Sequence, residues 1–166
     1  MNVIKYILTR SLPKTGQNTV LLTGDDGTYQ AGWWKNRTVA TNKVRFIDNG
    51  DGTITDRATG LMWEKVTLRV THSLEYWITY ASGLTLGGYT NWRVPNINEL
   101  VSLINYGSIT PCIYTVFSTS ILPAIYFSST HFLPSDSDIY YVSFLYGCVN
   151  LEEAGNNEYA ICVRTI

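Results

Sequence analysis

From Val44 to Trp63 apolar and polar positions alternate around a glycine-rich break. Arg45-Phe46-Ile47-Asp48 and Thr53-Ile54-Thr55-Asp56 flank Asn49-Gly50-Asp51-Gly52, which predicts a β-hairpin. A further strand is expected at Leu61-Met62-Trp63, after Thr59-Gly60. The period then lengthens. Leu74, Trp77, Ile78 and Ala81 recur at i, i+3, i+4 and i+7, as do Ile97, Leu100, Val101 and Ile104, so two amphipathic helices are predicted. Thr71 or Ser73 can cap the first and Gly83 can end it. Asn96 with Glu99 three positions on has the form of a capping box for the second, with Gly107 as its left-handed stop. Leu86 to Trp92 reads as a tight loop between them.

Beyond Ile125 short β-like runs return: 126–130, 141–144, 148–150 and 160–164. A period of two turns Val142, Phe144 and Val149 inward, and Tyr141, Ser143, Leu145, Cys148 and Asn150 outward. Strands thus flank a helix pair, which predicts an α+β fold with two helices packed on short antiparallel strands. Ahead of this, Val3 to Leu8 predicts a first strand. Two polar, turn-rich segments, 12–17 and 23–27, suggest a surface excursion, with Trp33-Trp34 as a packing anchor. Residues 1–42 are read as a leader belonging to the same domain as 43–166.

A length of 166 residues fits one domain able to bury its own core. The net charge of -1 and the singly scattered Lys and Arg leave no basic stripe, so nucleic acid is not an expected partner. No apolar stretch reaches bilayer-spanning length, and the lysine-interrupted start does not read as a signal peptide. That start suits a virion component or a cytoplasmic protein. Cys112, Cys148 and Cys162 are odd in number and lack CxxC spacing, which indicates neither zinc nor a disulfide framework. Tyr outnumbers Met by 12 to 2, a bias suited to rigid contact surfaces.

The motif Arg45 to Asp56 with Thr59-Gly60-Leu61-Met62-Trp63 resembles the opening of the Lcl C-terminal domain family. Leu86-Gly87-Gly88-Tyr89-Thr90-Asn91-Trp92-Arg93-Val94-Pro95-Asn96 with Glu99-Leu100 is similar to its second motif. Phe127-Ser128-Ser129-Thr130, Val142-x-Phe144 and Cys162-Val163-Arg164 are similar to its third. The resemblance implies a C-type-lectin-like fold used for adhesion or receptor binding, often oligomeric and not known for catalysis. Phe127, Ser143 and Ile161 depart from the Trp, acid or amide, and Arg that family members commonly carry. The helix cysteine of some members is absent near Tyr80, so no disulfide to Cys162 is expected.

Some proteins of that fold are variable targets of diversity-generating retroelements, which randomise adenines chiefly at asparagine codons. Such codons cannot become Lys, Glu, Gln, Met or Trp, and none of these occurs from Tyr126 through Leu151. Candidate ligand contacts are Phe127, His131, Phe132, Tyr140, Tyr141, Ser143, Leu145, Tyr146, Cys148 and Leu151. The expected partner is a protein or other macromolecule, and no cofactor or metal is called for. Asp48 to Gly52 has hard-cation oxygens, but glycines stand where a calcium loop needs ligands, so a turn is favoured. Neither His72 nor His131 lies in a nucleophile motif. Alternatives are a fixed carbohydrate-binding lectin, an oligomerisation module, and a relative of formylglycine-generating oxidases with Cys148 and Cys162 as its cysteine pair.

Overall fold

A computed structural model describes residues 12–32, 44–117 and 119–166. The strand expected at 3–8 and the Trp33-Trp34 anchor lie outside the described residues. The first sheet has four antiparallel strands in the order β1-β2-β3-β7: β1 Phe46–Asp48, β2 Thr53–Asp56, β3 Leu61–Glu64 and β7 Val163–Thr165. The predicted hairpin and the strand after it are present. Their turn closes on its own side chains, since Asp48 Oδ1 accepts from Gly50 N–H and Asp51 Oδ1 from Thr53 N–H, each at 3.0 Å. Gly50 and Gly52 take φ of 78° and 89°, a region costly to residues with a Cβ.

The second sheet holds β4 Ile125–His131, β5 Asp138–Ser143 and β6 Cys148–Glu153, antiparallel and in that order. It lies between two core clusters. Tyr126 and Val142, which are register partners, join Phe144, Trp63, Leu100 and Phe117 on one side. Phe127 and Ile139 join Met62, Trp77, Ala81 and Trp92 on the other. Period-two side chains at the centre of this sheet therefore enter apolar packing on both faces.

Helix α2 runs Leu74–Gly83 with Ser73 at the N-cap position, though the serine side chain makes no cap bond there. Leu74, Trp77 and Ala81 are buried as the stripe predicts. Ile78 is not; it stays 49 % exposed because the stripe meets the core along its Trp77 side. Trp77 Nε1 donates to the Glu158 carbonyl at 2.8 Å. Helix α3, Ile97–Val101, has the predicted capping box, Asn96 Oδ1 accepting from Glu99 N–H and Glu99 from Asn96 N–H. It is shorter than the periodicity suggests. Leu103 and Ile104 extend the buried stripe on tighter bonds, to the carbonyls of Leu100 and Val101. Gly107 is not a left-handed stop; its missing side chain instead lets the Gly16 carbonyl approach, since a Cβ there would sit 2.1 Å from that oxygen.

That approach belongs to a wider docking of the leader. Tyr106 N–H donates to the Thr15 carbonyl at 2.9 Å and Tyr114 Oη–H to the Lys14 carbonyl at 3.1 Å. A short helix, α1 Asp26–Tyr29, breaks the excursion and is capped by Asp25. Among the described residues no helix is long and apolar enough to cross a membrane.

Candidate functional site

The β5–β6 hairpin carries most of the candidate contacts. Its turn, 144–147, is closed by Gly147 N–H donating to the Ser143 carbonyl at 2.8 Å, with Gly147 at φ 67°. Cys112 fixes the turn from below, its N–H donating to the Phe144 carbonyl at 2.7 Å. Tyr146 at the apex is 76 % exposed. Cys148 is exposed beside it, and Leu145 and Tyr141 are half-buried. Rigid backbone with projecting aromatic and small polar groups is a binding geometry with little ordering cost.

A second group lies toward the other end of the hairpin. Phe132 N–H donates to the Asp138 carbonyl at 2.8 Å, which brings the Phe132 ring edge-on to Tyr140 at 6.1 Å between centroids. Leu151 is the register partner of Tyr140. All three are half-buried. His131 pairs with Ile139, across the sheet plane from Tyr140. It borders a cleft of about 360 Å³ with Ser73, Leu74, Ile78, Thr79 and Gly155.

Three expectations are corrected, Phe127 as a ligand contact and Ser143 and Val149 from the period of two. Phe127 is fully buried and Ser143 only 4 % exposed, because β4 and β5 are covered on both faces rather than one. Val149, expected inward, is 42 % exposed. It opposes the buried Val142, yet β6 is the sheet edge and extends past the cluster that covers Val142. The platform is thus Phe127, Val142, Ser143 and Phe144, while the displayed set is His131, Phe132, Tyr140, Tyr141, Leu145, Tyr146, Cys148, Val149 and Leu151.

The electrostatics around this set are acidic. Burial first, then the Cys148 thiol and the carboxylates of Glu152 and Glu158, push the Tyr141 phenol up. Burial and the neighbouring Glu152 likewise raise Glu158. Asp138 stands directly opposite Glu153 across β5 and β6. A period of two singles out none of these carboxylates. Their signal in the sequence is the absence of any Lys or Arg between Arg93 and Arg164.

The other proposed chemistries find different surroundings. Cys162 is buried, its N–H donating to Glu64 at 3.1 Å, and burial raises its thiol far above the ordinary range. Cys148 is exposed, and all three cysteines are free. Within the Asp48–Gly52 turn the acids are occupied, Asp48 also pairing with Lys65 at 2.5 Å. No group of three or more metal-capable side chains is found among the described residues. Larger clefts, of about 400 and 550 Å³, lie along α3 and residues 12–15.

The family model of the Lcl C-terminal domain matches residues 52–164, from the first hairpin's turn into β7. A search of the curated proteins finds no match.

Proposed function

The chain belongs to the Lcl C-terminal domain family, and from that premise we propose that it is a non-enzymatic binding protein of C-type-lectin-like fold, displaying a diversified surface to a macromolecular ligand. The reading is carried by one observation. On a single hairpin, side chains that fill the core (Val142, Phe144) stand within a few residues of exposed ones at and beside the turn (Tyr146, Cys148). A scaffold of that kind tolerates exchange of the projecting residues while its fold stays constant.

The source of diversity we propose is a retroelement acting on asparagine codons. Its support is the residue set from Tyr126 through Leu151, which lacks every amino acid such codons cannot produce. Glu152 and Glu153, which they cannot produce either, mark where the fixed sequence resumes. A receptor-binding role, with aromatic anchors supplying most of the energy, follows from the Tyr-rich set.

Sequencing the encoding gene from many members of the source population tests this. Substitutions should cluster at the codons for Tyr140, Leu145, Tyr146 and Cys148 and spare those for Val142 and Phe144, with a near-identical repeat nearby carrying adenines at the mismatched positions. Equal constancy at both sets would rule out diversification and leave a fixed-ligand lectin or an assembly module.

A further inference from the structure

Cross-strand partners share a face of a sheet, so the register of β5 and β6 arrays Asp138–Glu153, Tyr140–Leu151 and Val142–Val149 in successive rows on one face. The first row sets two carboxylates directly opposite, at a spacing of about 5 Å between Cβ atoms. Like charges so placed destabilise a sheet. Ser137 Oγ–H donates to Asp138 Oδ1 at 3.5 Å, and the ion pairs Arg45–Asp56, Lys65–Asp48 and Arg93–Glu99 lie elsewhere. No Lys or Arg occurs anywhere from residue 94 to 163. The row is also exposed at Glu153 and half-exposed at Asp138.

The next row places π faces beside these charges. Tyr140 and Phe132 meet edge to face at 6.1 Å, with Leu151 adjacent. Carboxylates next to an aromatic pair are the complement of a Lys or Arg side chain, whose stem packs on the rings while its charge meets the acids. We infer that this face of the hairpin docks a basic protein segment, seating one of its Arg or Lys side chains between the Tyr140–Phe132 pair and the Asp138–Glu153 row. The inference rests on the reading of the hairpin as a ligand-binding surface and specifies the ligand's chemistry. A like-charge pair of this kind gains electrostatic relief when a cationic partner arrives.

The experiment is selection of a displayed library of random dodecapeptides on the purified full chain, with each selected peptide re-measured on D138N/E153Q and on Y146A. Hairpin-dependent peptides enriched in Arg and Lys, weakened about tenfold or more by D138N/E153Q and weakened further by added salt, are expected. The ligand-free D138N/E153Q protein should melt no lower than the parent, which separates lost contacts from lost folding. Hairpin-dependent peptides with no basic enrichment, bound equally by D138N/E153Q, would overturn the inference and leave the binding surface standing. Binding abolished by a chelator would overturn it in favour of a bridging divalent cation. If no selected peptide depends on either variant, the binding surface itself fails and the inference with it.

Discussion

Tyr80 of α2 donates its phenolic O–H to Glu64 of β3 at 3.0 Å, inside the protein, and the other Glu64 oxygen accepts the Cys162 N–H. One buried carboxylate thereby joins the helix, the first sheet and the chain entering β7. Burial raises the Glu64 carboxyl above its ordinary value, outweighing the hydrogen bonds from Cys162 and Tyr80 that pull it down. The folded state thus binds this proton more readily than the unfolded one. Glu64's contribution to stability is fully present below the unfolded carboxylate value, about pH 4, and declines as pH rises through the folded value.

Glu64→Gln should remove that decline. The melting temperature of E64Q relative to the parent is expected to be more favourable at pH 8 than at pH 5. An offset that does not change with pH would show that Glu64 does not titrate in this way.

Arg45 and Asp56 form a buried two-pronged ion pair, Nε to Oδ1 at 3.0 Å and Nη2 to Oδ2 at 2.7 Å, and Arg45 also donates to the Ser102 carbonyl. Asp56 in addition accepts Ala58 N–H. Asp56→Ala leaves a buried guanidinium unpaired and is expected to cost about 3–5 kcal/mol in urea unfolding. The cost should be smaller when Arg45→Met is combined with it, since the orphaned charge is then gone.

The division between platform and displayed residues has an energetic signature. Phe144→Ala, at full burial, should cost about 3–5 kcal/mol, whereas Tyr146→Ala, at the exposed apex, should stay within about 0.5 kcal/mol. Equal costs in thermal or urea unfolding would contradict the separation on which the proposed diversity depends.

Gly107→Ala tests the docking of the leader. Its Cβ would meet the Gly16 carbonyl, backbone that cannot rotate aside, so residues 12–17 should lose their contacts with Tyr106 and Tyr114. Limited trypsin digestion is expected to cut faster after Lys14 in the variant, while the chain from β1 onward keeps its melting transition.

Much of the fold was legible because it is local. Alternation around Asn49-Gly50-Asp51-Gly52 specifies a hairpin, and Asn96 with Glu99 specifies a helix start, through forces acting over a few residues. The length of α3 was less legible, since a buried stripe of Leu103 and Ile104 looks the same whether carried by a helix or by a tighter turn.

The sequence by itself determined the first hairpin and the strand after it, the starts of α2 and α3, the aromatic character of the C-terminal hairpin, and the lack of cations across it. Only the tertiary structure decided which of those residues the hairpin displays. Period two separates two faces but says nothing about what covers each, and here Phe127 and Ser143 are buried because a second core cluster closes the face expected to be open. The same holds for Val149 and for the Asp138–Glu153 row: edge position and cross-strand register arise from pairing between distant segments, which no single strand encodes.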